Sequence, residues 1–528
     1  MHLMGNMMQV PLLISSILTH AARTSPEQRI IEATGNGTLS EMTYAQFEER
    51  VKRLATGLRA NGVQPGARVG TLAWNTTRHL ELYYAVSGIG SVCHTINPRL
   101  HLDQIAYIIN HAQDDLLFFD PDFAETVAAL QPLCPDVRHW VALTGDATDT
   151  LQAYDAWLHA VPDDFAWPLL DENTASGLCY TSGTTGHPKG ALYSHRSTVL
   201  HALSSCHPDA LSMSCSDRVM PVVPMFHVNA WGLPYSALLS GAAIVLPGAD
   251  LSGKALHALC EAAGVTLSAG VPTVWQGLID HIAKSGLPLS TLREIMIGGV
   301  ACPAAMIRAF QQMGVEVRHA WGMTEVSPLG TVCRLMPHHA TLDEAAQLDI
   351  LSTQGRPLFG ADFALTQDTG EVLPHDGQSS GHLMIRGPWV IERYFRAEDS
   401  AAPDGWFDTG DVATIDANGY LQIRDRSKDV IKSGGEWISS IELENIALEH
   451  PAIAQAACIA EPSEKWGERP LLALLARPGS TVTAEDVLAL YSGRIARWAI
   501  PDRAVFVDEM PMTATGKIKK AALREMCL

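Results

Sequence analysis

No two of the ten cysteines are spaced as CxxC, and the nearest pair, Cys206 and Cys215, stands nine positions apart. Neither a zinc ribbon nor a disulfide scaffold is indicated, and a reducing cytoplasm suits the chain. Basic residues are also scarce: 37 Lys plus Arg stand against 57 Asp plus Glu, a formal net charge of −20. Nucleic acid is not an expected partner, because binding it through counterion release needs a basic face. An anion site here must be local, made of backbone amides, a few cations or a metal. Long apolar runs are missing too. No stretch reaches the ~20 residues that span a bilayer; the longest, 233–247, is interrupted by Pro234, Tyr235 and Ser236. Residues 10–18 are apolar, but no Lys or Arg precedes them and Ser15 and Ser16 break the run, so they predict an amphipathic helix, not a signal segment. A soluble protein is expected, with attachment to a membrane surface left open. Internal repeats and low-complexity segments are absent as well.

What is present is an ordinary globular composition: 528 residues, 47% hydrophobic and 18% charged, with 42 Gly and 30 Pro. A single core stops growing near ~250–300 residues, so two or three domains are expected. Helical and strand periods alternate over the first four hundred residues. After Thr43, a natural N-cap, Phe47, Val51, Leu54, Ala55 and Leu58 follow the helical spacing, and Gly62 closes the run. Residues 68–73, 116–119, 243–246 and 294–297 read as strands, with a helix over 252–263. This is α/β organisation. From about Gly381 short strands and turns such as 416–419 (DANG) predict a β-rich subdomain. The last hundred residues look separate: a helix near Ser440, a strand at 456–460, a helix from Ala484, a strand at 504–507 and a helix after Gly516, with a hinge at 426–428.

The most informative segment is 180–190 (YTSGTTGHPKG), where three glycines, four Ser or Thr hydroxyls and one lysine fall within eleven residues. Small residues let backbone amides approach an anion, hydroxyls add donors, and Lys189 supplies mobile positive charge. The string is built to hold a polyphosphate. Its spacing is not GxxxxGK[ST], since Lys189 follows Pro188 and precedes Gly190, so a Walker-type fold is not implied.

This loop resembles the phosphate-loop signature of the adenylate-forming superfamily, which includes acyl-CoA synthetases, luciferases and the adenylation domains of peptide synthetases. Further motifs follow in the family's order as far as the last twelve residues. The segment 224–231 (PMFHVNAW) resembles the one whose histidine, here His227, lies beside the carboxyl group being activated, with Val228 next to the nucleotide. Trp231 matches the aromatic gate of an acyl tunnel, a shutter that keeps water from the activated acyl group. In 298–301 (GGVA), Gly299 and Val300 match a loop packed against adenine. In 319–325 (HAWGMTE), the resemblance assigns His319, Ala320, Trp321, Gly322 and Thr324 to the nucleotide, with the Trp321 ring stacking on the base. Glu325 and Thr184 are the implied magnesium ligands, an oxygen set that suits an ion shared with phosphates.

Asp411 in 406–411 (WFDTGD) and Arg426 in 424–429 (RDRSKD) match the groups that hold the ribose, and Lys428 matches the hinge. The resemblance makes Thr181, Ser182, Gly183, Thr184, Thr185, Gly186 and Lys189 the implied phosphate-binding set. Lys432, Gly434, Gly435 and Trp437, in 432–437 (KSGGEW), resemble the lining of the pantetheine passage, and Lys517 in 511–517 (PMTATGK) the adenylation lysine.

The resemblance implies an α/β fold with a large N-terminal domain of α/β layers and a β-rich subdomain, over 1–425. A small mobile α+β C-terminal domain, over 426–528, would carry Lys517. The implied reaction uses ATP, Mg2+ and CoA: a carboxylic acid becomes an acyl-adenylate, then a thioester, releasing pyrophosphate and AMP. The stretches 74–100 and 224–242 are most similar to bacterial medium-chain acyl-CoA ligases, which implies a medium- or long-chain fatty acid, a cytoplasmic location and a homodimer. Another acid (short, aryl or sulfur-containing) is the alternative. A retired ligase acting as a nucleotide- or acyl-binding regulator is a third reading, opposed by the presence of Lys189, Glu325, Asp411, Arg426 and Lys517 in their motifs.

Overall fold

The computed structural model describes residues 3, 5–35, 37–143, 152–181, 187–427, 429–433, 436–513 and 517–528, with backbone alone at 436 and 437. Four sheets organise them. The central strands of a nine-stranded sheet (Arg29–Ala33, Ala243–Leu246, Arg218–Pro221, Leu267–Gly270, Glu294–Ile297, Glu316–Gly322) pair in parallel, with antiparallel strands at both edges. A seven-stranded sheet is parallel except at one edge, where Ala175–Thr181 pairs antiparallel with Lys189–Ser194.

Period-two alternation sends neighbouring side chains of these strands to different cores. Leu116 and Phe118 face inward, between the two sheets, with Ile244 and Met296 of the other sheet. Leu117 and Phe119 face outward, as do Val245, Ile295 and Ile297 on the other side. Helices fill the space between the sheets. One of them, Tyr44–Ala60, starts with a capping box in which the Thr43 hydroxyl accepts from Gln46 N–H at 3.1 Å and Gln46 Oε1 accepts from Thr43 N–H at 2.8 Å. Phe47, Val51, Leu54 and Leu58 are fully buried along it, each worth roughly 1.5–3 kcal/mol relative to exposure.

Two expectations shift at their boundaries. The first helix spans Ile14–Thr24, beginning after the extended residues around Pro11, whose ring disfavours helix at the residue before it. The β-rich unit begins with Asp362–Thr366, before Gly381, because that strand buries little and its alternation is weak. Its last strand, Leu421–Arg426, pairs with Phe407–Ile415, and a separate five-stranded sheet starts with Ile431–Ser433. Asp425 on that last strand accepts from Ser440 N–H at 3.0 Å, and Asp429, in the connection between the two sheets, accepts from Arg524 Nη2 at 2.8 Å. Among the described residues no helix is long and apolar enough to cross a membrane.

Candidate active site

Parallel strands end with their backbone N–H-rich connections on one side, and ligands of open α/β sheets bind there. The segments 222–231, 298–301 and 323–326 all follow the C-terminal ends of strands in the nine-stranded sheet. Gly299 has φ +81°, and a Cβ built on Gly298 would lie 3.2 Å from the Trp231 indole, so that ring lies against the glycine loop. Val300 is exposed beside it.

Trp231 stands on an unusual support. Val228, Asn229, Ala230 and Trp231 all have φ between +46° and +57°, and Gly232 has φ +77°, which makes one left-handed turn. Each non-glycine residue in that conformation costs roughly 1–2 kcal/mol, so the surroundings must hold it. Asn229 Oδ1 accepts from Cys179 Sγ at 3.5 Å. A Cβ at Gly232 would come within 2.8 Å of the His201 ring, whose Nε2 accepts from Leu329 N–H at 3.1 Å.

The strand Glu316–Gly322 carries the next group. Trp321 is 8% exposed, stands edge-on to Phe363 at 5.6 Å between centroids, and donates Nε1–H to Asp411 Oδ2 at 2.9 Å. Arg426 Nε holds the other oxygen of Asp411 at 3.0 Å, and its Nη1 donates to Thr409 O. Burial raises the Asp411 carboxyl above its usual range, opposed first by the Arg426 charge and then by Trp321 and Lys517. The ring assigned to the base and the carboxylate assigned to the sugar are thus already bonded to one another. His319 has both ring nitrogens occupied by backbone: Nδ1 donates to Ser352 O at 3.0 Å and Nε2 accepts from Cys302 N–H at 3.3 Å. Burial lowers it to about 4, so it is neutral and buttresses the 298–302 loop. Ala320 is buried, and Gly322 has no room for a side chain, since a Cβ would meet Pro328 O at 2.2 Å.

Glu325 is 6% exposed on the turn after this strand; Oε1 accepts from the Tyr394 hydroxyl at 2.7 Å. Thr324 beside it has its carbonyl bonded by Tyr193 OH at 2.7 Å. The Lys189 ammonium lies 4.9 Å from the centroid of the Tyr394 ring, and Thr181 pairs with Lys189 across the hairpin. A single buried hard-oxygen ligand suits a magnesium ion shared with substrate phosphates; among the described residues no group of three His, Cys, Asp or Glu forms an all-protein cage. The other proposed ligand, Thr184, and its neighbours Ser182, Gly183, Thr185 and Gly186 lie outside the described residues, as do Lys428, Gly434, Gly435 and the Trp437 side chain.

The Lys517 ammonium is buried near these groups, and the backbone N–H of the same residue donates to Thr513 Oγ1 at 3.0 Å. Burial, then the Arg426 charge, lowers the Lys517 ammonium to about 8, while Asp411 and Glu325 oppose the fall. The same ammonium, after burial, pushes His227 down to about 4. Lys517, His227, Glu325, Asp411 and Arg426 therefore converge. Lys432 does not join them: it lies beside Asp368 of the β-rich unit, whose carboxyl is lowered first by the His382 hydrogen bond and further by Lys432, and its backbone N–H donates to Glu468 Oε2. Tyr394, Tyr193 and Asn229 were not singled out from the sequence. Asn229 lies inside a quoted motif, but Tyr394 and Tyr193 bond Glu325 and Thr324, 69 and 131 positions away, and meet them only through folding.

Asp411, Arg426, Glu325, His227 and Lys517 thus lie close enough for their charges to act on one another, and comparison with known proteins gives the class of enzyme that carries them. The chain belongs to the AMP-binding enzyme family: that family's model matches residues 18–395, and the AMP-binding enzyme C-terminal domain matches 442–517. It is 52% identical to a 3-methylmercaptopropionyl-CoA ligase of Ruegeria lacuscaerulensis, over 99% of this chain and 98% of that protein. It is 48% identical to a medium-chain-fatty-acid–CoA ligase of Ectopseudomonas oleovorans, over 99% and 97%. The crystal structure of an anthranilate CoA ligase in complex with anthranoyl-AMP shares the fold, with a TM-score of 0.88 at 24% identity over 98% of each chain.

Proposed function

We propose that the chain is an AMP-forming acyl-CoA ligase whose acid is a medium- or long-chain fatty acid. The convergence of Lys517 with Asp411, Glu325, Arg426 and His227 carries the adenylation chemistry, and the similarity to a medium-chain-fatty-acid–CoA ligase supports the acid. A carboxylate is a poor acyl donor because its leaving group would be an oxide ion. Its attack on the α-phosphorus of ATP, with loss of pyrophosphate, leaves an acyl-adenylate whose leaving group is AMP. Both reactants are anions, so the enzyme's task is alignment and charge compensation, with no proton transfer required.

Lys517 and Lys189 supply the mobile cations, and the amides of 182–186 the fixed donors. Asp411 and Arg426 orient the sugar and Trp321 the base. The neutral imidazole of His227 adds a dipole beside the carboxyl without a competing charge. Magnesium, when held by Glu325 and Thr184, screens the phosphate charge. Trp231 closes the acyl passage. For thioester formation the unit from 426 onward turns at Lys428, withdrawing Lys517 and bringing the 432–437 loop to the same cleft. A homodimer in the cytoplasm completes the reading.

The relative at 52% identity favours a second reading, a short sulfur-containing acid of the 3-methylmercaptopropionate type. ATP–pyrophosphate exchange over a panel of acids (3-methylmercaptopropionate, butyrate, octanoate, dodecanoate, cinnamate) separates the two. Octanoate or dodecanoate is expected to lead; a clear lead for a shorter or aromatic acid overturns the fatty-acid assignment.

A further inference from the structure

The segment 389–397 belongs to none of the motifs above, yet it stands between two charged groups of the cleft. Tyr394 donates its hydroxyl hydrogen to Glu325 Oε1 at 2.7 Å, and the Lys189 ammonium sits over its ring at 4.9 Å. Backbone bonds tie the segment to both neighbours: Ile391 N–H donates to Glu325 O at 2.9 Å and Phe395 N–H to Gly190 O at 2.8 Å. Trp389 adds two more ties, accepting from Ser327 Oγ at 2.8 Å and donating Nε1–H to Leu329 O at 3.1 Å. One short segment is thereby fastened to the strand leaving the phosphate loop and to the turn bearing the carboxylate.

An ammonium and a carboxylate on facing loops attract one another, and the attraction strengthens where water is excluded. If Lys189 and Glu325 closed into a direct ion pair, the lysine would be withdrawn from the phosphates and the carboxylate from the metal. Among the described residues they are joined through Tyr394, not to each other. The ring face takes the cation and the hydroxyl takes the anion, so each charge is satisfied without cancelling the other.

We propose that Tyr394 is a positioning residue for adenylation: its hydroxyl aims the Glu325 carboxylate at the divalent ion on the triphosphate, and its ring keeps the Lys189 ammonium on the phosphate side. The proposal rests on the ligase reading above. Because the two tasks lie on different atoms, two substitutions separate them. Tyr394→Phe keeps the ring and removes the donor; Tyr394→Leu removes both.

The test measures Mn2+ binding by electron paramagnetic resonance in the presence of a non-hydrolysable ATP analogue, and metal-free binding of that analogue by calorimetry. Tyr394→Phe is expected to weaken Mn2+ binding about tenfold while changing metal-free analogue binding by less than about twofold; Tyr394→Leu should weaken both. In turnover, Tyr394→Phe should raise the KM for Mg2+ in pyrophosphate exchange and leave acyl transfer from supplied acyl-adenylate in place, since that half-reaction involves neither triphosphate nor metal. Wild-type Mn2+ affinity in Tyr394→Phe overturns the proposal, as does an equal loss in both half-reactions, which would mark a merely structural residue. A wild-type chain inactive with every acid would overturn the ligase reading instead, and the Mn2+ measurement would still decide the role of Tyr394.

Discussion

Two effects outweigh two others at Lys517: burial and the Arg426 charge lower its ammonium to about 8, while Asp411 and Glu325 hold it up. In the proposed reaction the acting form is the ammonium, so activity is expected to fall as pH rises through that value. We expect kcat/KM for adenylation, which reports the free enzyme, to fall on an alkaline limb near pH 8, and the limb of kcat to lie higher because bound phosphates favour the charged form. Lys517→Arg should flatten the limb while lowering the rate, since a guanidinium keeps its charge but not the geometry. A flat profile between pH 7 and 9 in the wild type would contradict this assignment. His227, lowered to about 4, stays neutral across the same range and should add no acid limb near 6.5.

At the scale of elements, the left-handed turn from Val228 to Gly232 is the feature with a conformational cost of its own. Gly232→Ala adds a left-handed alanine, at roughly 1–2 kcal/mol, and drives its Cβ to within 2.8 Å of His201. The expected outcome is a lowered thermal midpoint together with a raised KM for the acid, because Trp231 is carried on the same turn. Asn229→Ala should move KM the same way by removing the Cys179 anchor. Thermal melts and acid-dependent exchange on both variants check this; an unchanged KM in both would disconnect the turn from the acyl site. Sequence periodicity gave no hint of it. PMFHVNAW reads as a motif, but backbone handedness comes from contacts made by Cys179, His201 and Leu329, which are remote in the chain.

At the scale of the whole molecule, one cleft faces Lys517 while Lys432 rests beside Asp368. A chain that uses both lysines in one catalytic cycle must exchange them, and the ties from Asp425 to Ser440 and from Asp429 to Arg524 lie at the joint. Lys517→Ala should lower adenylation about a hundredfold or more, as loss of a transition-state cation does, while acyl transfer from supplied adenylate persists. Lys432→Ala should show the reverse order of losses. Single-turnover assays of each half-reaction read this directly, and parallel losses in both variants would argue against alternation.

The sequence by itself determined the layered α/β architecture, the boundaries of strands such as Ala243–Leu246 and Glu294–Ile297, and the chemical types gathered in the cleft. The strands follow from local periodicity, and the residues of the cleft from the resemblance of their motifs to those of the family. Only the tertiary structure decided that Trp321 bonds Asp411, that His319 braces a loop, that Tyr394 separates Lys189 from Glu325, and which lysine faces the cleft. Those relations join residues separated by up to about two hundred positions, and no local pattern encodes a distance that exists only once the sheets have packed.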